Sequence, residues 1–202
     1  MFIERVIAGE WKTNAYLVGG LSRAIIIDPG HGSADELLLL AEKRGVSIQA
    51  IYLTHSHFDH FADVDVIKQK IDLPVYVSPE DAENLRRPGF DGLPNFYQKQ
   101  GMEPDGFIRE GDVVKLDDIY FKVIATPGHS PGSLCFYFEK EHVLFSGDTL
   151  FKRGRGATNA MNADERKIIA SVKYLLTLPD PVVVYPGHGE KTTIGEEKKW
   201  HL

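Results

Sequence analysis

Apolar and polar positions along the chain sort into two groups of short strand-like runs, each accompanied by stretches of helical period. Ile3 to Ala8, Asn14 to Gly19 and Ala24 to Asp28 are separated by glycine-bearing turns and predict an antiparallel opening sheet. Ser33 followed by Glu36 forms a capping-box pattern for a helix through Leu37 to Arg44, which Gly45 stops. Ile48 to Thr54 reads as a buried strand, Phe61 to Ile71 as a helix, Pro74 to Ser78 as a strand and Pro79 to Arg87 as a short helix opened by proline. Pro88 to Gly106, rich in glycine, proline and aromatics, predicts a loop long enough to cover a site. Further strands are expected over Val113 to Leu116, Ile119 to Thr126, Leu134 to Glu139 and His142 to Ser146, with turns at Asp117-Asp118 and Lys140-Glu141. Asn162 and Glu165 give a second capping signal, for a helix in which Ile168, Ile169, Val172, Leu175 and Leu176 share a face, and Val182 to Tyr185 is the last strand. Two packed sheets with helices on their outer faces fit this order better than a doubly wound parallel sheet, so the expected class is a layered α/β sandwich.

Composition narrows the function classes. With 202 residues, 43% hydrophobic and 26% charged, the chain is expected to form one globular domain over 1–202 around a sizeable core. A formal charge of −6 provides no basic footprint, which argues against a nucleic-acid partner. No apolar run has the length of a signal peptide or a membrane span, so the expectation is a cytoplasmic protein without a membrane partner. Cys135, between Leu134 and Phe136, is expected to be a small buried hydrophobe.

The chemistry concentrates in Thr54-His55-Ser56-His57-Phe58-Asp59-His60, on a predicted strand-to-helix turn. There His55 and His57, two apart in extended chain, share a face, while Asp59 and His60 swing round as the helix begins. Two adjacent ligand clusters follow, hence two metals. Imidazole with carboxylate suits zinc first, with iron and manganese as alternatives, and the lack of cysteine argues against a closed structural zinc site. Four apolar runs end in a metal-capable residue: His55 after Thr54, His129 after Thr126, Asp148 after Ser146 and His188 after Tyr185. If those strands are neighbours, loops at one edge gather five histidines and two aspartates, with Gly128, Gly147 and Gly187 permitting sharp turns. His31, His142 and His201 fall outside this scheme as surface or capping residues.

The run His55 to His60 followed by His129, Asp148 and His188 resembles the metallo-β-lactamase superfamily. Asn14-Ala15-Tyr16-Leu17, Asp28-Pro29-Gly30, Thr126 to Ser133, Ser146-Gly147-Asp148 and Pro186-Gly187-His188-Gly189 are similar to its glyoxalase II-like branch. The resemblance implies an αββα four-layer sandwich with one metal on His55, His57 and His129, another on Asp59, His60 and His188, and Asp148 between them. It also implies a hydrolase in which hydroxide attacks a small thioester or ester of the hydroxyacylglutathione type, with Asp59 as the catalytic residue that orients it. Only 14 residues follow His188, so the C-terminal helical region that supplies glutathione contacts in glyoxalase II is expected to have no counterpart here. The Gly-Arg-x-Asp sequence common after the bridging aspartate is replaced by Lys152-Arg153-Gly154-Arg155-Gly156-Ala157-Thr158-Asn159, which lacks the acid. Lys152, Arg153 and Arg155 are candidates to bind an anionic substrate tail. The alternatives are a persulfide dioxygenase with a single iron on His55, His129 and Asp148, and a non-catalytic metal-binding member of the fold.

Overall fold

Strand β2 (Thr13–Gly19) is buried at every position, which a strand achieves only when both of its faces are covered. Its alternate residues serve two cores: Ala15 and Leu17 pack toward one helical layer, while Tyr16 and Val18 pack toward the opposite sheet. The same alternation separates Ala24 and Ile26 from Ile25 and Ile27 on β3 (Arg23–Ile27), and Cys135 and Tyr137 from Leu134, Phe136 and Phe138 on β9 (Leu134–Phe138). In the computed structural model, which describes residues 1–201, the chain therefore has three stacked cores and an αββα four-layer sandwich.

The first sheet runs β1 (Phe2–Ala8), β2, β3, β4 (Ser47–Tyr52), β5 (Val75–Val77), β6 (Gly106–Phe107). It opens antiparallel, as expected, and continues parallel from β3 onward through helical crossovers. The second runs β12 (Thr192–Thr193), β11 (Val183–Pro186), β10 (Val143–Gly147), β9, β8 (Ile119–Ala125), β7 (Val113–Leu116). Because β8 and β10 are both antiparallel to β9, and β11 is parallel to β10, the C-terminal ends of β8, β10 and β11 lie at one edge. Two backbone bonds stitch that edge to the first sheet, Leu134 N–H to Thr54 O at 2.8 Å and Asn14 N–H to Gly187 O at 2.7 Å.

Several local expectations are corrected. Helix α1 (Ala34–Arg44) does end at Gly45, in the left-handed region at φ 64°, but no capping box opens it. Ser33 Oγ bonds back to Gly30 O, and Asp63 Oδ2 takes the Ala34 N–H at 2.9 Å, so a distant carboxylate does the capping. The helix expected from Phe61 starts earlier and splits into α2 (Phe58–Phe61) and α3 (Val64–Lys70), with Asp63 at the break. The short helix over 79–87 is α4 (Ala82–Arg86). Helix α5 (Glu165–Leu175) is capped by Asp164, which accepts from the Arg166 and Lys167 backbone N–H groups, and not by Asn162. Ile169 is exposed, because a position adjacent to buried Ile168 is turned about 100° from it. The two-residue strands β6 and β12 and helix α6 (Ile194–His201) were not expected, being too short or too polar to carry an apolar period. Cys135 is buried, and burial pushes its thiol up to about 12, as suits an inert core residue. No helix among the described residues is long and apolar enough to cross a membrane.

Candidate metal centre

Every candidate metal residue read from the sequence arrives at the same sheet edge. His55 and His57 occupy the turn between β4 and α2, and Asp59 and His60 lie in α2 itself, while His129, Asp148 and His188 follow β8, β10 and β11. Their donor atoms form three overlapping groups: His55, His57 and His129; His55, His60 and Asp148; and Asp59, His60 and His188, with the atoms of each group within 4.8 Å of one another. His55 Nε2 lies 3.1 Å from His57 Nδ1, and His60 Nε2 lies 3.3 Å from His188 Nε2. Asp148 reaches both halves, with Oδ2 3.5 Å from His129 Nε2 and 3.4 Å from His188 Nε2 and Oδ1 3.5 Å from His60 Nε2.

The outward ring nitrogens are held by groups that the sequence did not single out. His55 Nδ1 is 3.0 Å from Thr54 Oγ1, His60 Nδ1 3.0 Å from Asp28 Oδ2, His129 Nδ1 2.7 Å from Ala157 O and His188 Nδ1 3.1 Å from Trp11 O. His57 Nε2 sits 3.2 Å from Asp91 Oδ2 without the alignment of a hydrogen bond. Such partners fix ring orientation and leave the other nitrogen to the cavity, the arrangement that metal-binding histidines need. Asp28 is the most heavily used of them. Its carboxylate also accepts from Thr54 N–H at 2.8 Å and Thr54 Oγ1 at 2.6 Å, and its backbone sits at φ 50°, a strained conformation for a residue with a side chain. Asp59 Oδ2 accepts from Thr13 Oγ1 at 2.7 Å.

The donor set fits metal. His129 Nε2 and Asp148 Oδ1 are buried without a hydrogen-bond partner, which costs free energy unless something else occupies the space between them. A Cβ on Gly187 would lie 2.1 Å from Asp148 Oδ1 and 2.7 Å from His60 Cε1, so glycine keeps that space open. Gly147 serves the turn itself, at φ 48°. Electrostatics divides the centre in two. Burial lowers His55 well below the usual histidine range and brings His129 to about 4, leaving neutral imidazole donors. Burial opposes charge on His60 and His188 as well, but the surrounding aspartates outweigh it, raising His188 and taking His60 to about 10. Burial would also push the Asp59 carboxyl up, yet His60, His188 and Thr13 hold it well below the usual carboxylate range.

The other expectations divide. His31 stacks on Tyr97 at 4.3 Å, His142 occupies an exposed turn and His201 ends α6, so all three stay outside the centre. Lys152, Arg153 and Arg155, the candidates for an anionic tail, are not among the residues that line the cavity beside the centre. Lys152 bonds Glu190 Oε2 at 2.5 Å, Arg155 pairs with Glu165, and the Arg153 guanidinium lies 5.5 Å from the Trp200 ring centroid. The chain turns at Arg153, φ 60°, and these side chains satisfy themselves on the protein surface. Of the groups missed, Asp28 was visible as a strand-ending Asp-Pro-Gly, whereas Thr13, Asp91 and the carbonyls of Trp11 and Ala157 carry no local signal.

Comparison with known proteins agrees with this geometry. The chain matches the metallo-beta-lactamase superfamily over residues 8–188. Hydroxyacylglutathione hydrolase GloC of Haemophilus influenzae is 36% identical over 208 residues, covering 98% of this chain and 96% of that protein. The BLEG-1 B3 metallo-beta-lactamase has a similar structure, with a TM-score of 0.90 at 34% identity over 98% of this chain and 97% of that one. TTHA1623, solved in a di-iron-bound form, gives 0.82 at 37% identity over 98% of each chain.

Proposed function

The chain belongs to the metallo-beta-lactamase superfamily, and from that premise we propose that it is a cytoplasmic dinuclear metallo-hydrolase of a small thioester or ester, residues 1–202 acting as one catalytic domain. The observation that carries this reading is the pair of complete donor groups, each histidine with one nitrogen toward the cavity and the other beside a fixed partner. His55, His57 and His129 would hold one ion and Asp59, His60 and His188 the other, with Asp148 shared. Zinc, iron or manganese in these positions would polarise a carbonyl oxygen and make water a nucleophile near neutral pH.

The protein's own groups do the rest. Asp59, pinned by Thr13 and kept ionised, suits accepting a hydrogen bond from the attacking water and aiming it at the carbonyl, not storing a proton. Water adds to the carbonyl carbon, the carbon–sulfur bond breaks, and the proton released by water ends on the departing thiolate. Asp28 and Thr54 keep His55 and His60 from turning while charge changes beside them.

The test is elemental analysis of protein purified without added metal, joined to thioester hydrolysis. About two equivalents per chain and hydrolysis lost on chelation are expected, and His57→Ala should lose metal and activity together. Retention of both in that variant would refute the assignment. A single equivalent, mostly iron, with oxygen uptake on a persulfide would instead select the dioxygenase reading on His55, His129 and Asp148.

A further inference from the structure

The donor cluster lines a cavity of about 460 Å³ whose other walls have a different chemistry. Trp11, Phe58 and Phe96 meet in pairs, with ring centroids 5.7 Å apart for Trp11 and Phe58, 5.3 Å for Trp11 and Phe96, and 5.5 Å for Phe58 and Phe96. Leu93, Pro94 and Phe151 extend this surface. Trp11 and Phe96 remain 47% and 57% exposed although they touch each other, so a contiguous apolar face is left open beside the reaction centre. No lysine or arginine lines the cavity among the described residues.

Resting on the hydrolase reading above, we infer that the substrate carries an uncharged apolar arm, alkyl or aryl, that seats against Trp11, Phe58 and Phe96, and not a tail bearing carboxylates. A carboxylate drawn out of water against these rings would lose hydration with no lysine or arginine beside them to replace it. An alkyl or aryl arm loses nothing and covers apolar surface that is now wet. The wall is also coupled to the donors. Trp11 contributes its ring to the wall and its carbonyl to His188, and Phe58 stands one residue before Asp59, so an arm seated on the rings is registered against the reacting carbonyl.

The experiment uses the metal-loaded full chain and three substrates: the acetyl and octanoyl thioesters of N-acetylcysteamine, and S-lactoylglutathione. Octanoyl should exceed acetyl in kcat/KM by at least about tenfold, as a hydrophobic pocket discriminates, and should not be surpassed by S-lactoylglutathione. Phe96→Ala should narrow the octanoyl-to-acetyl ratio by about tenfold while metal content stays the same, and Phe96→Leu should restore most of it. A higher kcat/KM for S-lactoylglutathione, or a ratio that Phe96→Ala leaves alone, overturns the inference. If none of the three is hydrolysed, the hydrolase reading fails, and calorimetric binding decides the inference separately. The octanoyl amide analogue should then bind more tightly than S-methylglutathione and lose that advantage in Phe96→Ala; equal or weaker binding overturns it.

Discussion

His60 and His129 sit in one centre and are driven in opposite directions, which makes the metal-free protein sensitive to pH on two sides. Burial opposes charge on His60, but Asp59, Asp148 and Asp28 raise it from 6.5 to about 10. A histidine raised in the folded state stabilises fully below its unfolded value, and that contribution is lost as the pH climbs through 6.5 towards 10. His129 is lowered, chiefly by burial, from 6.5 to about 4, so its contribution is present above 6.5 and lost as the pH falls towards 4. Thermal melts of metal-free protein should therefore show a Tm that falls on both limbs. His129→Gln should flatten the acid limb and His60→Gln the alkaline one; an alkaline limb that His60→Gln leaves unchanged would remove His60 as its cause.

At the scale of elements, the centre depends on loops being locked to one another. Asp81, just before α4, is fully buried and joins two ligand-bearing loops: it accepts from Ser56 N–H at 2.9 Å, between His55 and His57, and from Ser130 Oγ at 2.8 Å and Gly132 N–H at 2.7 Å, after His129. Burial raises its carboxyl, a cost that these donors reduce. Asn84 on α4 continues the network, bonding Ser56 O at 2.7 Å and Asp91 Oδ2 at 3.1 Å, and Asp91 in turn stands beside His57. Asp81→Ala leaves two buried backbone N–H groups unpaired and is expected to cost about 2–5 kcal/mol in denaturant unfolding. It should also weaken metal binding by about 10–100-fold, although Asp81 touches no donor atom. Unaltered metal affinity in a folded Asp81→Ala protein would leave the network a purely structural role.

For the whole molecule, the donors bridge the two sheets. His55, His57, Asp59 and His60 follow the first sheet and His129, Asp148 and His188 the second, so metal would tie both halves together in addition to the bonds at Thr54–Leu134 and Asn14–Gly187. Metal present at a thousandfold over its Kd should add about 4 kcal/mol to folding stability. Chelation should accordingly lower Tm and speed hydrogen exchange at Leu134 and Asn14 with little change in far-UV circular dichroism. Equal exchange with and without metal would show that the seam stands by itself.

How much of this could be read beforehand follows from the range over which each interaction acts. Period-two burial, the strand ends and the crowded run from His55 to His60 are properties of adjacent residues, so the sandwich class and the candidate donors were legible in the sequence. Capping of α1 by Asp63, support of His60 by Asp28, of Asp59 by Thr13 and of His57 by Asp91 join residues far apart in the chain, and no local pattern marks them. The partners of the basic run at 152–155 were beyond local reading for the same reason, because charge in sequence says nothing of where a side chain finds its partner; Lys152 pairs with Glu190 and Arg155 with Glu165. By itself the sequence determined the layers and the candidate donor residues. Only the tertiary structure decided which groups aim those donors, and that the cavity wall is aromatic and free of lysine and arginine, because both depend on packing that brings the Trp11 turn and the 88–106 loop together over the sheet edge.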